Sequence, residues 1–196
     1  PLLLVGADFN KAALRVTRAN LIKADIWAKV IWGDIGRPDL LAADLKEDYN
    51  IELHDLLNVR TFLDHNRIWE APKNKYNSVS LSHGSFASKG IRLDNNNVEA
   101  SLLEHFSKWK PFVEKFGLLI IELHTIDAKL TAKNLGKTAA TAYDATHGYS
   151  DQYILEVDVF RTAAIKAGLL PDDKHFAKFP NSALATVSIN LLKGVI

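Results

Sequence analysis

The chain has 196 residues, 47% hydrophobic and 24% charged, and its 24 basic and 23 acidic residues give a net charge of +1. This size suits one domain with a sizeable core, and the near-neutral charge gives no electrostatic basis for binding nucleic acid or an anionic membrane. No apolar run approaches a membrane span, and the absence of cysteine excludes disulfides, thiolate metal sites and cysteine nucleophiles. We therefore expect a cytoplasmic protein with neither a nucleic-acid nor a membrane partner.

Short apolar runs alternate with helical patterns in the first quarter of the chain. The run from Leu2 to Val5, closed by Gly6-Ala7-Asp8, is typical of a buried parallel strand. Asn10 is a favoured N-cap residue and predicts a helix over 11–23. The inward face of this helix is predicted to consist of Ala12, Ala13, Val16 and Ala19. Further elements are predicted as a strand over 28–32, a short helix within 37–49 and a weaker strand over 49–53.

The alternation continues through the rest of the chain. The strongest strand pattern is Leu118 to Leu123, which follows a helix predicted over 98–116 and interrupted near Pro111. A polar stretch near 72–97 predicts a loop or lid insertion, with a short strand over 79–81. The other predicted elements are a helical or mixed segment over 56–69, a helix over 152–167, and strands over 176–179 and 183–192. This order predicts one α/β domain over 1–196, with a doubly wound, mostly parallel sheet and an antiparallel C-terminal strand.

Two aspartates stand where predicted strands end. Asp8 ends the first strand, and Asp34 follows the second in Gly33-Asp34-Ile35. In doubly wound folds, ligands bind beyond the carboxyl ends of the strands, where an acidic residue can accept ribose hydroxyls. A carboxylate at the position of Asp34 can accept from an adenine amino group. Each aspartate alone is also compatible with a helix cap or a turn.

The two segments together resemble a known family. Leu4-Val5-Gly6-Ala7-Asp8-Phe9-Asn10-Lys11-Ala12-Ala13-Leu14 and Val30-Ile31-Trp32-Gly33-Asp34-Ile35 resemble the second and third motifs of class I S-adenosylmethionine (SAM)-dependent methyltransferases. The resemblance implies SAM as cofactor. The glycine-rich loop of that family precedes the acidic strand, so we expect a methyltransferase domain that is N-terminally incomplete.

The remaining motifs carry a narrower resemblance, to the apratoxin-type methyltransferase domain of polyketide synthases. They are Leu53-His54-Asp55-Leu56-Leu57, Phe62-Leu63-Asp64-His65-Asn66-Arg67, Glu122-Leu123-His124, the segment from Tyr143 to Tyr153, Phe179-Pro180-Asn181, and Thr186 to Asn190. That family depends on a mononuclear iron and methylates a malonyl unit on an acyl carrier protein. The resemblance implies cofactor contacts at Asp8, Phe9, Asp34, Ile35 and Asp55, and an acyl carrier protein as partner.

A metal site is predicted from His124, His147 and Gln152. His124 follows a strand end, and His147 and Gln152 lie in a polar segment that could fold over it. Two imidazoles and one oxygen donor suit iron or manganese, with Asp151 or Glu122 as alternatives to the unusual glutamine ligand. Such a metal would act as a Lewis acid and stabilise the enolate of a malonyl thioester.

Alternatives remain open at this point. In a metal-independent O- or N-methyltransferase acting on a small molecule, His124 or His147 would be a general base. A non-catalytic domain of a larger synthase is the third possibility. The other histidines are expected at the surface or in caps: His54, His65, His83, His105 and His175. The lysines of the polar stretch, Lys73, Lys75 and Lys89, are expected to be solvated or to meet an acidic carrier protein.

Overall fold

The computed structural model of the chain describes residues 2–74, 76 and 79–194, apart from the side chains at positions 147 and 148. The fold divides into two compact units, Pro1–Leu53 and His54–Ile196. Each unit is an α/β structure with its own sheet. No helix among the described residues is long and apolar enough to cross a bilayer.

The first unit consists of two strand–helix repeats. Its elements are β1 (Leu4–Asp8), α1 (Lys11–Lys23), β2 (Ala28–Trp32) and α2 (Pro38–Tyr49). The strands β1 and β2 pair in parallel, with Leu4 opposite Ala28 and Asp8 opposite Trp32. Both strand ends therefore reach the same edge of this sheet. The predicted bounds of α1 and β2 are confirmed.

Asn10 caps α1 as predicted. Its side-chain oxygen accepts hydrogen bonds from the backbone nitrogens of Ala12 (2.9 Å) and Ala13 (3.4 Å). These bonds satisfy two of the nitrogens that a helix start leaves without an intrahelical partner.

The predicted inward face of α1 is wrong for three of its four residues. Ala12, Val16 and Ala19 are exposed, whereas Ala13, Leu14 and Leu21 are half-buried. The guanidinium of Arg18 donates to the carbonyl oxygen of Val30 in β2 at 3.0 Å. The face of α1 toward the sheet is therefore partly polar, which an apolar periodicity does not reveal.

The second unit contains seven strands and four helices among its described residues. The strands are β3 (Asn58–Thr61), β4 (Phe86–Ser88), β5 (Ile91–Leu93), β6 (Leu118–Leu123), β7 (Leu169–Pro171), β8 (Ala177–Phe179) and β9 (Val187–Gly194). The helices are α3 (Asn95–Trp109), α4 (Ala128–Lys133), α5 (Ala140–Ser150) and α6 (Val157–Lys166). Short 3₁₀ turns cover Leu53–Asp55, Asp64–Asn66, Lys110–Phe112 and Asp173–His175.

The main sheet of this unit has the order β3-β6-β9-β7, and β8 also pairs with β9. The β3–β6 pair is parallel, whereas β9 runs antiparallel to β6, β7 and β8. The C-terminal strand is thus antiparallel, as predicted. Because β9 lies between β6 and β7, most pairs in this sheet are antiparallel although β3, β6 and β7 share one direction. The expectation of one doubly wound, mostly parallel sheet holds only in its coarser form, a mixed α/β fold.

The core of the second unit lies between this sheet and the helices α3 and α6. Leu118, Ile120 and Leu192 of the sheet are fully buried. Phe106 of α3 meets Phe160 of α6 edge to face, with ring centroids 5.2 Å apart. Aromatic pairs in this geometry add stability beyond the area they bury.

Several predicted elements have different bounds in the structure. The chain forms no strand over 49–53, because α2 continues to Tyr49 and Asn50 closes it in the left-handed conformation (φ 53°). The segment 56–69, predicted to be helical or mixed, contains β3 and the 3₁₀ turn Asp64–Asn66. The inward residues of β3 are the polar Asn58 and Arg60. Hydropathy cannot detect a strand whose buried face is polar.

The polar stretch near 72–97 is also built differently from its prediction. Val79 and Leu81 are largely exposed and belong to no strand, and the hairpin β4–β5 follows them. The helix α3 already begins at Asn95, with Asp94 as its side-chain cap. Downstream, 152–156 is not helical and α6 begins at Val157.

Gly117 connects the α3 region to β6 and admits no side chain. Its φ is +91°, and a Cβ placed there would lie 2.7 Å from the carbonyl oxygen of Leu192 in β9. Gly136 also has a positive φ, +71°, but nothing lies within 4 Å of its Cβ position. Substituting each glycine by alanine therefore distinguishes the cost of backbone strain, present at both positions, from the cost of the collision with β9, present only at Gly117.

We expect Gly117→Ala to lower the free energy of unfolding by about 2–5 kcal/mol, from left-handed strain plus the collision. Gly136→Ala should cost only the strain, about 1–2 kcal/mol. Urea unfolding of both variants measures the difference, and equal losses would contradict the close packing of Gly117 against β9.

Candidate active site

The first unit places Asp8 and Asp34 beyond the carboxyl ends of neighbouring parallel strands. The backbone nitrogen of Gly33 donates to the carbonyl oxygen of Asp8 at 3.1 Å, which joins the two ends. Oδ1 of Asp8 accepts from the nitrogen of Asn10, and Oδ1 of Asp34 accepts from the nitrogen of Gly36, both at 2.7 Å. Among the described residues, the second oxygen of each carboxylate has no hydrogen-bond partner. These oxygens suit hydroxyl or amino donors of a ligand.

The other predicted cofactor contacts of this unit border the same edge. Phe9 is 65% exposed, and its carbonyl oxygen accepts from the indole nitrogen of Trp32 at 3.0 Å. Ile35 is half-buried and follows Asp34 directly. Phe9 and Ile35 thus provide apolar surface next to the two carboxylates.

The remaining predicted cofactor contact, Asp55, belongs to the second unit. It stands in the 3₁₀ turn before β3, at the amino end of that strand. The ammonium of Lys115 lies 2.5 Å from its Oδ1, and this hydrogen bond lowers the pKa of Asp55. This position gives no support to a cofactor role for Asp55.

The carboxyl ends of β3 and β6 carry a buried histidine–glutamate pair. His65 is 3% exposed and Glu122 1% exposed, and Nδ1 of His65 donates to Oε1 of Glu122 at 2.5 Å. Glu122 also accepts from the backbone nitrogens of His65 (3.1 Å) and Leu123 (2.7 Å). The described residues offer Nε2 of His65 no hydrogen-bond partner. Such a pair has the arrangement of a base and its orienting carboxylate.

A second buried network lies beside this pair. The carboxylate of Asp64 lies 2.9 Å from the guanidinium of Arg60 and accepts from Nε2 of His105 at 3.0 Å. Burial alone would raise the pKa of Asp64, but Arg60, His105 and Arg67 together lower it. Burial lowers the pKa of His105 to about 4, so its ring is neutral near pH 7.

The expectation that His65 and His105 lie at the surface is therefore wrong, whereas His54, His83 and His175 are exposed as predicted. The burial of His65 and His105 could not be predicted from neighbouring residues, because their partners lie 57 and 41 residues away in the sequence. One signal for His65 was its position just after β3, but that strand has a polar buried face.

His124 is fully enclosed between β9 and the segment before α6. Its Nδ1 donates to the carbonyl oxygen of Leu155 at 3.0 Å, and its Nε2 accepts from the hydroxyl of Ser188 at 2.6 Å. Burial lowers the pKa of His124 to about 4. Both ring nitrogens are thus engaged within the protein, so His124 suits neither the predicted metal site nor the role of general base.

Gln152 does not join His124. Nε2 of Gln152 donates to Oδ1 of Asn66 at 3.0 Å, which places Gln152 beside the residue that follows His65. The backbone of His147 belongs to α5, but its side chain lies outside the described residues. Over the described part of the chain, no three His, Asp or Glu side chains form a group that could hold a metal ion. The described donors therefore do not fit iron or manganese.

Described residues of the second unit line two open clefts of similar size. The larger, of about 650 Å³, lies beyond the carboxyl end of β6 and includes His83, Thr125, Asp127, Glu156 and Phe176 in its wall. The smaller, of about 540 Å³, lies beside the histidine–glutamate pair. Its walls are Asn66, Arg67, Ile68, Trp69, Ser88, Lys89, Ile91, Leu93, Ser150, Asp151 and Tyr153.

Strands alternate with helices, and two carboxylate oxygens at the ends of a parallel strand pair have no hydrogen-bond partner among the described residues. Together these features define an α/β domain suited to a nucleoside-containing cofactor. A family model described as the AprA MT2-like domain matches residues 1–190. The chain belongs to this family of SAM-dependent methyltransferase domains, which confirms the predicted class and its apratoxin type.

Other comparisons add less. No curated protein matches the chain. Two similar solved structures are described as "The structure of LepI complex with SAM" and "A Pericyclic Reaction enzyme", at 9% and 8% identity, each with a TM-score of 0.49. Each alignment covers 98% of this chain and 37% of the other, so the chain spans little more than a third of those proteins.

The buried neutral histidines predict a loss of stability in acid. Above about pH 6.5, the ordinary histidine pKa, His124 is neutral in both the folded and the unfolded state and contributes nothing. Below that pH the unfolded chain takes up a proton that folded His124 does not accept until its pKa of about 4. Stability therefore falls between these limits, by up to about 3 kcal/mol for this residue.

The measurement is urea unfolding between pH 7 and pH 4. His124→Gln should show a shallower pH dependence than the wild type, even if it is less stable throughout. His54→Gln, at a half-exposed position, should keep the full slope. An unchanged slope in His124→Gln would mean that this histidine is not held neutral by burial.

Proposed function

We propose that this chain acts in SAM-dependent methylation of a carbon atom in an acyl group borne by an acyl carrier protein. The observation that carries the proposal is the buried pair of His65 and Glu122 at the carboxyl ends of β3 and β6. Carbon becomes nucleophilic only after it loses a proton, so this reaction needs a base. The choice of an acyl carrier substrate is supported by the resemblance to the apratoxin-type domains.

The hydrogen bonds of His65 support its choice as the base and indicate its tautomer. Because Nδ1 of His65 donates to Glu122, Nε2 carries the lone pair that can accept a proton. His65 would take the proton from the carbon next to the thioester carbonyl. Glu122 would hold the ring in this tautomer and stabilise the imidazolium that forms, as the carboxylate does in a catalytic triad.

The bond changes then balance. SAM, when bound, supplies an electrophilic methyl group on a sulfonium sulfur. The deprotonated carbon forms the new carbon–carbon bond as the sulfur–methyl bond breaks, and the proton remains on His65. Since the described donors do not fit iron or manganese, no step is assigned to a metal ion.

The cofactor contacts of the proposal lie in the first unit. The unpartnered oxygens of Asp8 and Asp34 would accept from the ribose hydroxyls and the adenine amino group of SAM. Phe9 and Ile35 would supply apolar contacts to the base. This assignment follows the family motifs and the strand-end geometry of the two aspartates.

Asp8→Ala should weaken SAM binding by about 1.5–3 kcal/mol, the range for a hydrogen bond to a charged group. Isothermal titration calorimetry on the intact protein measures this loss. Asp44→Ala, which removes an exposed carboxylate of α2, should leave the affinity unchanged. Equal affinity in wild type and Asp8→Ala would remove Asp8 from the cofactor site.

His65→Gln should lower kcat for methyl transfer roughly 10²- to 10⁴-fold, the usual contribution of a general base, with little change in SAM affinity. Mass spectrometry of the carrier-bound acyl group gives the rate. His83→Gln is the matched control, because His83 is an exposed histidine in the wall of the larger cleft.

Other outcomes separate the alternatives. Full activity in His65→Gln would exclude His65 as the base. Methylation of free alcohols or amines, without methylation of a carrier-bound acyl group, would favour an O- or N-methyltransferase. Absence of both SAM binding and methyl transfer in the wild type would identify a non-catalytic domain.

A further inference from the structure

Buried charges surround the histidine–glutamate pair. Arg60 is 3% exposed, Asp64 0%, Arg67 4% and Glu122 1%. Asp64, Arg67 and Glu122 line one small enclosed space together with His65. Because these groups are shielded from water and salt, the charge of each acts on the others with little screening.

The direct contacts divide these four charges unequally. The guanidinium of Arg60 lies 2.9 Å from the carboxylate of Asp64, so these two form an ion pair. Arg67 instead donates through its two Nη atoms to the carbonyl oxygens of Asp64 (2.9 Å) and Val98 (3.2 Å). Burial lowers the pKa of Arg67 to about 10, although the charges of Asp64 and Glu122 oppose this shift, and Arg67 stays a cation near neutral pH. The charges of Arg67 and Glu122 therefore remain to balance each other.

The other ionisable side chains close to the pair are neutral near pH 7. Burial lowers the pKa of both His105 and His124 to about 4. Burial raises the pKa of Tyr153, which lines the same enclosed space. Among the described residues that line this space, Arg67 is the only permanent cation.

The charge of Glu122 decides which nitrogen of His65 carries the proton. An ionised Glu122 accepts the proton of Nδ1, and Nε2 keeps its lone pair. A protonated Glu122 would itself donate to Nδ1, and the proton of the neutral ring would lie on Nε2. A ring in that tautomer cannot act as the base. Burial favours the protonated form of a carboxylic acid, and a nearby positive charge favours the ionised form.

We propose that Arg67 is a positioning residue, whose buried positive charge holds Glu122 as the anion and thereby fixes the proton of His65 at Nδ1. The backbone nitrogens of His65 and Leu123 donate to the same carboxylate and favour the same state. The inference rests on the proposed function of His65 as the base, and it names the group that keeps this base in its active tautomer.

The test is nuclear magnetic resonance of the intact protein with ¹⁵N-labelled histidine, over a pH titration. The signals of His65 are assigned by their loss in His65→Gln. In the wild type at high pH we expect a proton on Nδ1 of His65 and none on Nε2. Removal of a positive charge favours proton uptake by the pair. The pH at which Nε2 gains a proton should therefore rise by about one unit or more in Arg67→Gln.

Matched variants separate the charge of Arg67 from its packing. Arg67→Lys keeps the positive charge but not the fork of donors to Asp64 and Val98, so the pH of Nε2 protonation should stay close to that of the wild type. Arg161→Gln removes an arginine of α6 that pairs with Asp173, and it should leave this pH unchanged.

Asp64→Asn tests the same electrostatic field without a substitution of Arg67. Loss of a negative charge disfavours proton uptake by the pair, so the pH of Nε2 protonation should fall. Shifts of opposite sign in Asp64→Asn and Arg67→Gln follow from charge and not from a general loss of packing.

The pH dependence of kcat for methyl transfer gives a second readout. Its acidic limb should move to higher pH in Arg67→Gln, so that activity lost near neutral pH returns as the pH is raised. A merely structural role of Arg67 would lower kcat at every pH.

A proton on Nε2 of His65 in the wild type at high pH would overturn the inference, and this result needs no variant. An unchanged pH of Nε2 protonation in Arg67→Gln or Asp64→Asn, or equal shifts in Arg67→Lys and Arg67→Gln, would also overturn it. Normal methyl transfer beside these unchanged or equal shifts would leave the proposed function standing. Conversely, the expected shifts without methyl transfer by the wild type would retain the role of Arg67 and reject the proposed function.

Discussion

The second unit depends on the burial of balanced charge at the carboxyl ends of β3 and β6. Arg60, Asp64, Arg67 and Glu122 are all nearly inaccessible to solvent, two cations with two carboxylates. Removing such groups from water costs several kcal/mol each unless they are paired and hydrogen-bonded. Arg60 also lies over the ring of Trp109, at 4.7 Å from its centroid, and this contact provides a further partner for the cation. Loss of any one charge would leave its partner buried and uncompensated.

The buried histidines His124 and His65 differ in how many of their ring nitrogens are hydrogen-bonded. His124 is satisfied at both nitrogens by Leu155 and Ser188, so it ties β9 to the segment before α6. Among the described residues, only Glu122 hydrogen-bonds the ring of His65, at Nδ1, and Nε2 retains its lone pair. Chemistry requires an unsatisfied atom, and packing requires a satisfied one. The histidine that follows β3, and not the one that follows β6, therefore carries the proposed reaction.

In the first unit, too, the candidate site residues are only partly hydrogen-bonded within the protein. Asp8 and Asp34 each use one oxygen to close a local turn, through Asn10 and Gly36, and keep the other. The turn fixes the direction of each carboxylate before a ligand arrives, which reduces the entropy lost on binding. Membership in a family of SAM-dependent methyltransferase domains gives this geometry its expected ligand.

The sequence by itself determined the elements and residues whose signals are local. The bounds of α1, β2 and β6, the cap at Asn10 and the positions of Asp8 and Asp34 follow from periodicity, capping and strand ends within a few residues. The family motifs are local too, and they identified the class of enzyme. A strand such as β3 escaped because its buried face is polar, so hydropathy reported the opposite of its burial.

Only the tertiary structure decided which polar side chains meet. His65 finds Glu122 57 residues away, His124 finds Ser188 64 residues away, and Gln152 finds Asn66 86 residues away. No local pattern encodes these pairings, because they arise from the order in which β3, β6 and β9 join the sheet. That order brought Ser188 to Nε2 of His124 and gave His65 its carboxylate partner.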